Sequence, residues 1–158
     1  MRILGVDPGS SRCGYGLIEK NGSKLKLIDY GLIEIKEKDI NHKLTLLGHD
    51  YKKVLKDLKP DLVAIEKIFF SRNVKTAIEV AQARGVLIYL TLKEQLPITE
   101  HNPQEIKLSV TGYGLSDKKA VAKMAYAILQ IPPLKVIDDV SDAIAISITA
   151  ASLTRNKS

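Results

Sequence analysis

Short apolar runs open the chain. Ile3 to Val6 and Cys13 to Glu19 are separated by the turn-forming stretch Asp7-Pro8-Gly9-Ser10-Ser11-Arg12, and Leu25 to Ile35 follows Asn21-Gly22. Runs of this length between turn formers predict strands. Asn-Gly between two of them predicts a hairpin with a type I′ turn, because both residues tolerate positive φ. At Asn41 the period changes. Leu44, Leu47, Tyr51, Val54, Leu55 and Leu58 recur at three- and four-residue steps with lysines between them, which predicts an amphipathic helix that Pro60 stops. Asp61 to Glu66 is too short for a helix and apolar enough for a buried strand. A second helix is predicted from Asn73 as N-cap to about Lys93, with Val74, Ala77, Ile78, Ala81, Ile88 and Leu92 covering the sheet. Gly85 in its middle costs about 1 kcal/mol against alanine and points to a close helix approach. A last strand is predicted at Pro97 to Thr99. Helices then follow from Pro103 to about Val110, Asp117 to Leu129 and about Asp139 to Leu153. The order predicts one α/β domain over residues 1–158, with a mixed sheet flanked by helices and a loose tail.

Composition narrows the chemistry. The 158 residues include 24 Lys and Arg against 18 Asp and Glu, a formal charge of +6 that favours polyanionic partners. One cysteine, Cys13, excludes an internal disulfide and a cysteine-based zinc site. The three histidines fit no ligand pattern; His101, after a strand, reads as structural. No apolar run reaches the ~18 residues of a membrane span, and the opening residues do not resemble a signal peptide. A cytoplasmic protein without membrane contact is expected.

The candidate chemistry is carboxylate chemistry. Asp7 and Glu66 each end an apolar strand, which puts both at the carboxyl edge of the sheet, where open α/β sheets place ligand sites. Asp139 and Asp142, three residues apart, share one face of the first turn of the last helix. Taken alone, Asp138, Asp139 and Asp142 read first as helix-terminal charges favoured by the macrodipole, and Asp7 as a turn residue. Together at one edge they repel unless a cation compensates. An all-oxygen donor set then indicates Mg²⁺ or Mn²⁺. Carboxylate-held ions serve in-line phosphoryl displacement, and in a basic chain the natural substrate is a nucleic-acid phosphodiester.

Four blocks extend this reading: ILGVDPGSSRCGYGLIE, AIEKIFFSRNVKTAIEVAQARGV, NPQEIKLSVTGYGLSDKKAV and DDVSDAIAISITAA. In this order and spacing the chain closely resembles the RuvC family of Holliday-junction endonucleases. The resemblance implies a ribonuclease-H-like fold with a five-stranded sheet. It also implies a structure-selective endonuclease that resolves four-way DNA junctions by symmetric, metal-dependent hydrolysis of two opposing strands. The catalytic, metal-binding carboxylates it implies are Asp7, Glu66, Asp139 and Asp142. Some members carry histidine at the third position; Asp138 is an additional acid beside Asp139. Mg²⁺ is the implied cofactor, replaceable by Mn²⁺, with two ions per site when DNA is bound. The implied partners are junction DNA, a second copy of the chain, and a branch-migration complex of RuvA and RuvB.

The resemblance further implies DNA-binding roles for Phe69, Phe70, Arg72, Lys107 and Lys118. An aromatic at Phe69 or Phe70 would stack on bases unpaired at the crossover, Arg72 would contact phosphate, and the two lysines would act near the metal. Core packing for the phenylalanines and solvation for Arg72 are the plainer alternatives. For the homodimer the helix from Asn73 is the expected interface, with Val80, Val86, Leu87 and Leu90 as surplus apolar residues. Actin-like ATPases and sugar kinases also open with a strand, an aspartate and a glycine turn, but need two such domains. A catalytically dead DNA-binding module would show a broken carboxylate set, and all four positions here are acidic.

Overall fold

The computed structural model describes residues 1–68 and 74–154. β1 (Arg2–Asp7), β2 (Arg12–Asn21) and β3 (Lys24–Glu34) form an antiparallel meander. α1 (Ile40–Leu58) leads into β4 (Leu62–Glu66) and α2 (Val74–Lys93) into β5 (Ile98–His101). α3 (Pro103–Thr111), α4 (Lys118–Ile128) and α5 (Asp138–Leu153) close the chain. The sheet order is β3-β2-β1-β4-β5, with β4 parallel to β1 and β5 parallel to β4. This is the mixed five-stranded α/β sheet expected. Among the described residues no helix is long and apolar enough to cross a membrane.

β1, β4 and the middle of β2 are buried on both faces, and their alternation sorts two cores. Ile3, Ile18, Leu62 and Ala64 pack with α3, α4 and α5. Leu4, Val6, Leu17, Val63 and Ile65 pack with α1 and α2. α5 is buried almost all round from Val140 to Ala151. It can lie directly on the sheet because the strands are notched beneath it. A Cβ at Gly5 would collide with the backbone of Ala143 and Ser147, one at Gly14 with Asp139, and one at Gly16 with Ile144.

Several expectations are corrected. Asn21 ends β2, pairing with Lys24, so Gly22 and Ser23 are the central turn residues; only Gly22 has positive φ, 61°, which is the type II′ pattern. α1 is capped one residue earlier than Ile40 by Asp39, whose carboxylate accepts the His42 N–H at 3.0 Å. The larger correction concerns α2: of the residues expected to cover the sheet Ile88 does pack against the core, but Val74, Ile78, Ala81 and Leu92 do not, and the expected surplus residue Leu87 does. Ala83, Leu87 and Thr91 face the core, and Thr91 Oγ1 lies 2.8 Å from the buried Tyr51 hydroxyl. Val74, Ile78, Ala81, Gly85, Tyr89 and Leu92 face outward. Leu87 is therefore a core residue and cannot serve as a surface contact. Gly85 has none of the described residues within 4 Å of where a Cβ would stand, so it makes no close approach to them. The expected N-cap Asn73 lies outside the described residues.

Candidate active site

β1 and β4 run side by side, pairing Val6 with Ile65, so Asp7 and Glu66 leave the sheet at the same edge. Alternation turns both toward the α5 face. α5 crosses this edge with its first turn: Ile137 is its N-cap and makes no side-chain capping bond. Asp139 and Asp142 are therefore not its N-cap, while Asp138 and Asp139 occupy its first turn, where the macrodipole favours acids.

Asp7, Glu66, Asp142, Lys107 and Lys118 line one cavity of about 330 Å³, floored by apolar side chains of α3, α4 and α5. Asp139 stands beside this cavity, over Gly14, and pairs with Arg12 at 3.5 Å. Lys118 donates to Asp142 Oδ2 at 2.8 Å. Among the described residues, no three carboxylate, imidazole or thiol side chains stand close enough together to share an ion as they are. Lys118 and Arg12 meet part of the negative charge instead.

The electrostatics show strain that two cations do not relieve. Burial pushes the Asp7 carboxyl from the ordinary 3.8 up to about 8, helped by the charges of Glu66, Asp142 and Asp139 and opposed by Lys118. Glu66 is raised by burial and by Asp142, against Lys118 and Lys107. Asp142 is raised by burial, and its bond to Lys118 draws it back. Lys118 is itself raised, chiefly by that bond. Interacting carboxylates with raised proton affinity, and no soft ligand among them, are the donor set that suits a hard divalent cation.

Polar contacts that no sequence pattern announced fix the edge from the other face. Arg84 of α2 donates through Nε to the Glu66 carbonyl at 3.2 Å and pairs through Nη2 with Glu100 of β5 at 2.6 Å. Glu79 of α2 accepts from Ser10 at 3.2 Å and pairs with Lys43 at 3.3 Å. α2 therefore holds both the turn after Asp7 and the end of β4. The sole hint was an arginine and a glutamate on a helix otherwise rich in apolar residues. His101 pairs with Glu66 across β4 and β5 and is buried, its Nε2 3.2 Å from Thr99 Oγ1. Its Nδ1 lies 3.4 Å from Glu105 Oε2. Phe69, Phe70 and Arg72 lie outside the described residues.

Residues 3–150 match the family model described as crossover junction endodeoxyribonuclease RuvC. The chain is 42% identical over 156 residues to the crossover junction endodeoxyribonuclease RuvC of Thermosipho melanesiensis, covering 98% of this chain and 99% of that one. It is 45% identical over 149 residues to that of Halothermothrix orenii, covering 94% and 90%. The structure of Thermus thermophilus RuvC in complex with a Holliday junction substrate superposes with a TM-score of 0.88 at 26% identity, over 96% of this chain and 93% of that one. The yeast mitochondrial Holliday junction resolvase Ydc2 shares the fold, at 14% identity and a TM-score of 0.73, over 94% and 77%. Conserved architecture, the relatives' identity along nearly the whole chain and the family match agree: this chain belongs to the RuvC family of crossover junction endodeoxyribonucleases.

Proposed function

We propose that this chain is a nuclease that resolves four-way DNA junctions by metal-dependent hydrolysis of two opposing strands. The observation that carries the reading is the meeting of Asp7, Glu66 and Asp142 with Lys107 and Lys118 around one cavity at the carboxyl edge of the sheet. Asp7, Glu66 and Asp142, with Asp139 alongside, are the residues that would hold Mg²⁺. When bound, the ion supplies water activation and charge for the attacking and leaving oxygens of an in-line displacement. The remaining work falls to the chain. Lys118, 65% exposed in its pair with Asp142 and already at the cavity, can hold the scissile phosphate once Asp142 and Asp139 give up Lys118 and Arg12 as partners. Lys107 adds a second cation on the same wall. Phe69, Phe70 and Arg72 supply the crossover contacts that the family resemblance implies.

Two opposing cuts need two sites, and this chain carries one. A two-fold dimer is the simplest solution. Its interface is the outer stripe of α2, where Ile78 is 54% and Tyr89 62% exposed and Gly85 offers an open notch for a second helix. The same helix braces the catalytic edge through Glu79 and Arg84, so assembly and active-site geometry share one element. RuvA and RuvB remain the expected branch-migration partners.

A supercoiled plasmid that extrudes a cruciform tests the reading. Paired incision within one binding event converts it directly to linear DNA. Ile78→Glu should keep its melting temperature as a monomer, yet sediment at half the mass and accumulate nicked circles. Direct linearisation by a variant that sediments as a monomer would remove the dimer from the mechanism.

A further inference from the structure

The connection between α3 and α4 leaves the active-site cavity just after Lys107 and returns to it at Lys118. Its backbone is held by its own hydroxyls. Gly112, at φ 77°, closes α3 and donates its N–H to Leu108 O at 2.8 Å. The Tyr113 N–H donates to Thr111 Oγ1 at 3.1 Å, and Thr111 Oγ1 lies 2.7 Å from Ser116 Oγ. Ser116 returns two bonds to the Tyr113 carbonyl, from its hydroxyl at 2.8 Å and its N–H at 3.1 Å. These contacts tie Thr111, Tyr113 and Ser116 to one another and fix the turn's shape.

The turn so fixed presents large apolar side chains to solvent. Tyr113 is 60% and Leu115 71% exposed, and neither contributes to either core. Lys107 and Lys118 flank them, and Lys119 and Lys123 follow on α4. A preorganised aromatic and an aliphatic side chain among lysines suit a single-stranded nucleotide, whose base needs a flat apolar face while its phosphates need cations.

We propose that Tyr113 and Leu115 form a base-contacting element, on which a nucleobase unpaired at the centre of the junction stacks while Lys107 and Lys118 hold the neighbouring phosphates. The inference rests on the junction-resolving reading above and adds to it a base contact separate from that implied for Phe69. Rigidity matters here, because a base docking on a turn already shaped orders nothing further.

The test uses junctions carrying 2-aminopurine at each central position in turn, bound in EDTA so that none is cut, and single-turnover cleavage of the same junctions in Mg²⁺. Wild-type protein and Tyr113→Phe should quench one central position. Tyr113→Ala should not, and should cleave on the order of tenfold more slowly, the loss expected for one stacked base. Leu115→Ser should weaken quenching in the same position, and every variant should melt as the wild type does. Equal quenching and cleavage by Tyr113→Ala overturns the inference and is the result expected if the turn docks a protein instead. A lower melting temperature in Tyr113→Ala assigns the ring to loop structure and overturns it as well. Should the wild type itself leave junctions uncut, the parent reading fails; should it cut them and Tyr113→Ala match it, only the base contact fails.

Discussion

Asp7→Asn should yield a protein that melts at a higher temperature without metal and leaves junction DNA uncut. The raised Asp7 carboxyl sets the direction of both effects. Between 3.8 and about 8 the folded protein holds a proton that the unfolded chain has released, so metal-free stability falls as pH rises through this window. Above it, the full cost of a buried carboxylate facing Glu66, Asp142 and Asp139 is present. Asparagine keeps the shape and removes the charge. A gain on the order of 3 kcal/mol at pH 8 is expected, with part of the linkage remaining on Glu66 and Asp142. At about 2–4 °C per kcal/mol for a chain of this size, the melting temperature rises by roughly 10 °C. Added Mg²⁺ should stabilise the wild type more at pH 8 than at pH 5 and barely affect the variant. Cleavage should fall on the order of 1000-fold or more, since several kcal/mol of charge stabilisation leave with the ligand. Melting curves at the two pH values, with and without Mg²⁺, check the account; a variant less stable than the wild type at pH 8 would mean that Asp7 is satisfied by the fold alone.

Gly14→Ala should be among the most damaging single-methyl additions in the chain. Its Cβ would land on the Asp139 carbonyl, and backbone atoms on both sides leave neither partner a rotamer to escape into. Overpacking of this kind costs about 3 kcal/mol, or roughly 10 °C in melting temperature. The displacement also has a direction. Lifting the first turn of α5 carries Asp139 and Asp142 away from Asp7, so cleavage should drop beyond what the lower stability explains. Measuring cleavage well below the variant's melting temperature separates the two effects, and full activity there would show that the seat of α5 on β2 does not set the site.

The strand-ending acids were legible because position in a strand decides where a side chain emerges. An apolar run closed by Asp7 and another closed by Glu66 require only that the strands be neighbours, and the pairing of Val6 with Ile65 makes them so. The α5 aspartates were harder, since the same residues serve as helix-terminal charges in any protein. Burial of α5 on nearly all sides from Val140 onward presses that turn against the sheet edge, a packing that no spacing of acids records. The α2 faces were not legible. Both of its stripes are apolar, and periodicity gives their spacing without saying which one meets α1; Thr91, polar yet buried against Tyr51, was the side chain that marked the inner face. Arg84 escaped for a related reason, because its value lies in the Glu66 carbonyl, an acceptor that no pattern of side chains records.

On the proposed function, carboxylates gathered at one sheet edge make this chain a metal-dependent, junction-selective nuclease. The most direct measurement is single-turnover cleavage of a synthetic four-way junction beside a linear duplex of the same sequence and length, each with Mg²⁺ and with EDTA. The junction should be cut many times faster than the duplex, at matched positions in opposing strands, and only with Mg²⁺. Equal rates on the two substrates, or cutting that persists in EDTA, would contradict the account.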